Sequence, residues 1–309
     1  MELDPVIAQM LEMGKGQPAL ETQSVAEARA GMAQRVDLLR PFAPDTVETR
    51  DLSIPTAAGP LPLRIYTPQG APHPLPTLVW LHGGGWVLGS IETHDNVCRF
   101  LSAHGPLLVI SVDYRLAPEA KAPAQQQDAA AALHWAAASA AAHGGDPARL
   151  IVGGDSAGGN LAALAALAAR QDGPPLAGQL LVYPVTDYPA DAHESYAQNA
   201  DFGLTREAME WFWAHWLPDT SAPDATTAPL RAADLSGLPP AYVITASHDV
   251  LRDEGMAYAG RLHAAGVETI HDHVEGTIHG FFSMGGIAPV ATETLNRAAR
   301  WAASMKAVA

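Results

Sequence analysis

The sequence predicts an α/β fold: a mostly parallel sheet with helices on both faces. Short runs rich in Val, Ile and Leu alternate along most of the chain with helical stretches, the pattern of a doubly wound sheet. Several of these runs are apolar at every position, as strands covered on both faces are. With 309 residues, 48% hydrophobic and 17% charged, the chain can fill a sizeable core.

Taken in order, the first 40 residues read as two amphipathic helices. Asp4 followed by Pro5 is an N-cap and first-turn pair, after which Ile7, Met10 and Leu11 fall on one face. Ser24 with Glu27 forms a capping box, and Val25, Ala28, Met32, Val36 and Leu39 carry an apolar stripe as far as Pro41. The strand candidates follow: PLRIYTP, TLVWLHGGG, LLVISVDYR, RLIVGGDS, GQLLVYPV, AYVITAS and ETIHDHV. Between them, Gln125 to His143 is an alanine-rich helix stopped by Gly144-Gly145. Residues 201 to 219 interrupt the alternation. Thr205 is placed as N-cap, Leu204 and Met209 as a hydrophobic staple, and Pro218 as the stop. Met209, Phe212, Trp213 and Trp216 share one face of that helix, which suggests a lid or pocket wall as readily as core packing.

Composition removes several functions. A formal charge of −15 argues against nucleic acid, which demands clustered Lys and Arg. The single cysteine, Cys98, allows no internal disulfide and fits a small buried hydrophobe better than a nucleophile. No apolar run approaches 18 residues, and the amino terminus lacks signal-peptide texture. The expectation is a cytoplasmic protein without stable membrane insertion.

The chemistry concentrates at Gly154-Asp155-Ser156-Ala157-Gly158, a G-x-S-x-G between a predicted strand and a predicted helix. In a nucleophile elbow, the residues two before and two after the serine nearly touch, so only glycine fits there. The sharp turn presents the hydroxyl at a helix N-terminus, which favours developing negative charge. A second motif, His82-Gly83-Gly84-Gly85-Trp86, ends another strand. Consecutive glycines let backbone N–H groups crowd one point, as an oxyanion hole requires, with the N–H of Ala157 as the complementary donor. Dinucleotide binding is the rival reading, but Gly83, Gly85 and Gly89 are spaced one residue too long for that fingerprint. In this layout the acid and then the base follow the serine. Asp249 lies just past one strand and His279 just past the next. Asp253 and Glu254 compete for the acid but read better as helix-capping carboxylates. His271 and His273 alternate along a strand and could face one way as a metal pair, although solvated histidines fit as well.

Together these segments resemble the hormone-sensitive-lipase-like (family IV) bacterial carboxylesterases of the α/β-hydrolase superfamily. The likeness rests on His82 to Trp86, Tyr114-Arg115-Leu116-Ala117-Pro118-Glu119, Gly154 to Asn160, Asp249 with Leu251 to Gly255, and His279-Gly280-Phe281. The resemblance implies an α/β-hydrolase fold with a helical cap, residues 1–45 and 187–222 supplying the cap and 46–186 with 223–309 the catalytic domain. It implies cofactor-free ester hydrolysis with Ser156 as nucleophile, His279 as base and Asp249 as its partner, without metal. The oxyanion donors it implies are the N–H groups of Gly84, Gly85 and Ala157. Val250 departs from the pattern, which has proline after the acid. EAKAPAQQQDA departs after the Glu119 motif and is read as lying near the sheet edge, with little bearing on function. The expected substrate is a short-chain ester bounded by Trp86, Phe212, Trp213 and Trp216. An amidase or lactonase would use the same groups. A non-catalytic small-molecule receptor on this fold is disfavoured by the presence of His279. The chain could also pair as a homodimer.

Overall fold

All seven apolar runs form strands, and an eighth precedes them. β1 (Val47–Thr56), β2 (Gly59–Pro68), β3 (Leu75–Leu81), β4 (Leu108–Val112), β5 (Gly145–Asp155), β6 (Gly178–Val182), β7 (Ala241–His248) and β8 (Thr269–Ile278) make one sheet. Its order is β1-β2-β4-β3-β5-β6-β7-β8. β4, β3, β5, β6, β7 and β8 pair in parallel, whereas β2 is antiparallel to both of its neighbours. This computed structural model describes residues 2–188, 192–218 and 222–308. β1 escapes sequence reading because it is an edge strand whose residues are mostly exposed, so no apolar run marks it.

The central strands are buried on both faces, and their side chains divide between two cores. From β3, Val79 and Leu81 enter one cluster with Ala129 and Leu133 of α4 (Ala124–Ser139), Leu161 of α5 (Ala157–Asp172) and Leu262 of α8 (Arg252–Ala264). Leu78 and Trp80 enter the other, with Leu101 of α3 (Asp95–His104) and Leu295 of α9 (Pro289–Ala303). Alternation along the strand thus places one helical layer on each side.

The helix signals at the amino terminus are realised. α1 (Pro5–Gly14) is capped by the Asp4 carboxylate, and α2 (Val25–Leu39) by the full Ser24–Glu27 box. Only Ala28 of the α2 stripe is buried; Val25, Met32, Val36 and Leu39 are half-buried. Arg29 fastens α2 to the sheet side, donating to the carbonyls of Val87 and Ala117 at 2.9 Å each while pairing with Glu119. The long connection from β6 to β7 holds α6 (Ser195–Gln198) and α7 (Arg206–Trp216), with Thr205 capping α7. The insertion anticipated at 187–222 includes 189–191 and 219–221, which lie outside the described residues. Among the described residues, no helix is long and apolar enough to cross a membrane.

The EAKAPAQQQDA stretch is not peripheral, contrary to the sequence reading. It leads into α4, which packs against the central strands β3 and β5. Gln125 is fully buried, donates to the carbonyls of Arg115 and Ala120, and accepts from the Trp216 indole at 2.9 Å. Composition alone does not reveal that its partner lies 91 residues away.

The tightest packing in the sheet surrounds the serine turn. A Cβ on Gly154 would overlap the Gly158 backbone and the Leu81 carbonyl, and one on Gly158 would overlap the Leu81 carbonyl. Gly158→Ala should therefore fold poorly, losing on the order of 4 kcal/mol or more. Gly260→Ala, on α8 where nothing lies within 4 Å, should gain about 1 kcal/mol from helix propensity. Urea unfolding of both variants tests this; similar stability for the two would contradict the packing argument.

Candidate active site

Ser156 occupies the single residue between β5 and α5, with φ 56° and ψ −119°. A serine in the left-handed region is strained, and the surrounding structure must impose it. It does so through backbone bonds on both sides: Ser156 N–H donates to the Val182 carbonyl at 2.9 Å, and the Ser156 carbonyl accepts from Asn160 and Val185 at 3.0 and 3.2 Å. The glycine contacts described above leave no room for the turn to relax. The hydroxyl consequently projects from the C-terminal ends of the strands, where open α/β sheets bind ligands.

His279 follows β8, and its Nε2 lies 2.9 Å from the Ser156 hydroxyl. Its Nδ1 lies 2.8 Å from Oδ2 of Asp249, which follows β7. The arrangement demands that Nδ1 carry the proton, donating to the carboxylate, while Nε2 accepts from the serine. Asp249 is buried, and its other oxygen accepts the Leu251 N–H at 2.9 Å. The Tyr183 ring packs beside the imidazole, with centroids 4.5 Å apart.

The competing acids go elsewhere. Asp253 accepts the Ser195 N–H at 2.8 Å and pairs with Arg252. Glu254 lies in the first turn of α8, as the sequence suggested, but its carboxyl is turned to partners outside that helix. It is fully buried and accepts from the N–H groups of Thr186 and Asp187 and from the Tyr196 hydroxyl. Burial pushes its carboxyl up to about 8. His271 and His273 share one partner, the Thr245 hydroxyl, at 2.9 and 2.8 Å. Among the described residues, no group of three or more His, Cys, Asp or Glu is placed to hold a metal. Cys98 is buried, and burial pushes its thiol well up, which suits packing and not nucleophilic work.

The glycine loop after β3 bends back toward Ser156. Gly84 and Gly85 have φ of 116° and 60°, and the Gly84 carbonyl is turned away to accept from Val87 and Leu88. Among the described residues, no hydrogen bond uses the amide N–H of Gly84, Gly85 or Ala157. Asp155 ties this loop to the elbow by accepting the Gly83 N–H at 3.0 Å and approaching His94 Nε2 at 3.2 Å. Burial opposes its charge, but His94, His82 and His279 around it hold its carboxyl below the usual range. His82 beneath the loop is pushed down to about 3 by burial and by neighbouring His94. No helix begins at the glycine loop, since α3 starts only at Asp95, so it lacks the helix N-terminus that a dinucleotide phosphate needs. Sequence reading missed Asp155 and His94 because their tie joins residues 61 apart.

The aromatic groups expected to line the substrate separate into two kinds. Trp86 stacks face to face on Trp216 with centroids 3.9 Å apart, and Trp213 tilts against both. All three are almost fully buried and fasten α7 to the loop by packing. Phe212 is buried as well, but its ring sits directly against Gly85, where any Cβ would collide with it.

Residues 78–283 match the family model described as the alpha/beta hydrolase fold. Over 89% of the chain and 88% of the relative, the sequence is 38% identical to esterase LipI of Mycobacterium tuberculosis. It is 35% identical to an ethyl acetate hydrolase of Pseudomonas putida, covering 96% of each. The structure superposes on a hyperthermophilic esterase from Pyrobaculum calidifontis with a TM-score of 0.90 and 37% identity, covering 98% of this chain and 99% of that one.

The raised Glu254 carboxyl makes stability depend on pH. Its folded value of about 8 lies above the ordinary 4.5, so the fold prefers the neutral form. That contribution is complete below about 4.5 and is lost as pH rises through about 8. His193, Asp187, Tyr196 and Asp253 act on the same cluster. Glu254→Gln should be less sensitive, gaining on wild type by at most about 1.4 kcal/mol per pH unit across that window. Urea titrations at pH 5, 6.5 and 8 measure the difference; parallel losses in both proteins would contradict it.

Proposed function

The chain belongs to the hormone-sensitive-lipase-like branch of the α/β-hydrolases and is a carboxylic ester hydrolase, and on that premise we propose that it cleaves short-chain acyl esters through a Ser156 acyl-enzyme. The observation that carries the reading is the hydrogen-bonded series from Ser156 through His279 to Asp249, at 2.9 and 2.8 Å. His279 Nε2 takes the serine proton as Oγ attacks the ester carbonyl. Asp249 holds the imidazole in the required tautomer and stabilises the imidazolium. The carbonyl oxygen, now negative, is received by the N–H groups of Gly84, Gly85 and Ala157, with α5 adding its N-terminal dipole. His279 returns the proton to the departing alkoxide, leaving the acyl group on Ser156. The same imidazole then draws a proton from water, whose attack releases the acid and restores the serine.

The substrate proposal rests on the space beside the glycine loop. Phe212 covers Gly85, and α7 is fastened by the Trp86–Trp216 stack, so the acyl group meets a wall a short distance from the oxyanion site. A similar chain is named for hydrolysis of ethyl acetate, a two-carbon acyl ester. On this reading the amino-terminal 45 residues and the insertion at 187–222 form the cap. Trp213 and Trp216 support that cap, and Phe212, set against Gly85, is the ring that bounds the ester.

Activity on p-nitrophenyl esters should peak for acyl chains of about two to six carbons, each fitted CH₂ gaining roughly 0.8 kcal/mol until the pocket ends. A rate that still climbs at dodecanoate contradicts the short pocket. Ser156→Ala should leave no measurable hydrolysis and an intact fold. Asp249→Asn should lower kcat on the order of 10⁴-fold, and Asp253→Asn far less. Reversed effects of the two aspartates would reassign the acid.

A further inference from the structure

The Asp249 carboxylate can orient His279 only if the backbone that carries it is fixed. Its carboxylate has the Leu251 N–H as a tether, but the main chain at 249 and 250 sits in the bare connection between β7 and α8. The Asp249 carbonyl accepts the Arg252 N–H at 3.1 Å, and its second bond comes from Asn199 Nδ2 at 2.9 Å. The Val250 carbonyl accepts the Ser195 hydroxyl at 2.6 Å. Ser195 and Asn199 are buried and lie 50 or more residues from their partners, inside the β6–β7 insertion. Two further bonds from the same short segment reach the next turn. Ser195 N–H donates to Asp253, and the Tyr196 hydroxyl donates to Glu254.

We propose that Ser195 and Asn199 are positioning residues that hold the Asp249–Val250 backbone, and so set the carboxylate on line with His279. The insertion that covers the site is then also the brace of its acid. Val250 supplies no ring to fix its own φ, as a proline would, so the constraint comes from outside the loop. Removing either donor leaves a buried carbonyl short of a partner, and the loop must shift to find one. Displacements of about 1 Å at a catalytic group can cost 10²-fold in rate.

This inference rests on the proposed triad, and a double-mutant cycle separates the two. Asn199→Leu keeps the number and branching of side-chain heavy atoms and removes the donor; Ser195→Ala carries the same test should the first variant not fold. Each is made in wild type and in Asp249→Asn. The kcat for p-nitrophenyl butyrate is expressed per active site counted by nitrophenol release from a p-nitrophenyl phosphonate. In wild type, kcat should fall by about tenfold or more with KM nearly unchanged. In Asp249→Asn, where orientation is already lost, the same change should cost less than about twofold. An equal factor in both backgrounds overturns the positioning role and leaves the triad standing. A negligible effect of Asp249→Asn alone overturns the triad on which the inference depends.

Discussion

The near-contact of Gly154 and Gly158 against the end of β3 is the constraint on which the site depends. Neither position has space for a Cβ, so β5 and α5 meet at an angle that no ordinary residue pair permits. Ser156, caught between them, takes a left-handed conformation, and its hydroxyl is presented beyond the strand ends. The same approach brings the carbonyl of Leu81 against the helix, so the glycine loop that continues from Leu81 must pass beside the serine. The turn and the strand contact therefore share one cause, while Gly84 and Gly85 of the loop are required by the Leu88 backbone and the Phe212 ring.

Around that point the groups of the proposed catalytic site arrive on separate loops, each held by a different device. Hydrogen bonds to the ends of β6 and to α5 fix the serine backbone. Asp155 fixes the first glycine of the loop after β3, and its buried charge is offset by the histidines around it. Arg29 and Glu119 bind the exit of that loop to α2, while the Trp86–Trp216 stack binds it to α7. The loops need such bracing because the chemistry tolerates little misplacement, and loops do not supply rigidity themselves.

Where a signal was local, it was legible in the sequence. The elbow announces itself because five adjacent residues must satisfy one steric condition, and the caps at Asp4, Ser24 and Thr205 because their partners lie two or three residues away. The order of strand ends put Asp249 and His279 just past successive strands, where the structure has them. Non-local partners left no such mark. Gln125 sits in an alanine-rich helix whose text gives no hint of Trp216. Glu254 looked like a helix-capping carboxylate because its spacing in α8 was visible and its burial under Thr186 and Tyr196 was not. For the aromatic face of α7, helical periodicity leaves pocket wall and core packing both open. The rings of Trp213 and Trp216 turn toward Trp86 and one another, a choice that the facing surface makes and periodicity cannot.

On the proposed mechanism, the geometry at Ser156 serves an oxyanion held by backbone N–H groups. A crystal structure of the protein after reaction with a p-nitrophenyl phosphonate tests it most directly, because the tetrahedral phosphorus mimics the intermediate. The expected adduct has phosphorus bonded to Ser156 Oγ, with one phosphonyl oxygen about 2.7 to 3.1 Å from the amide nitrogens of Gly84, Gly85 and Ala157. An adduct on another residue, or a phosphonyl oxygen turned away from those three amides, would contradict it.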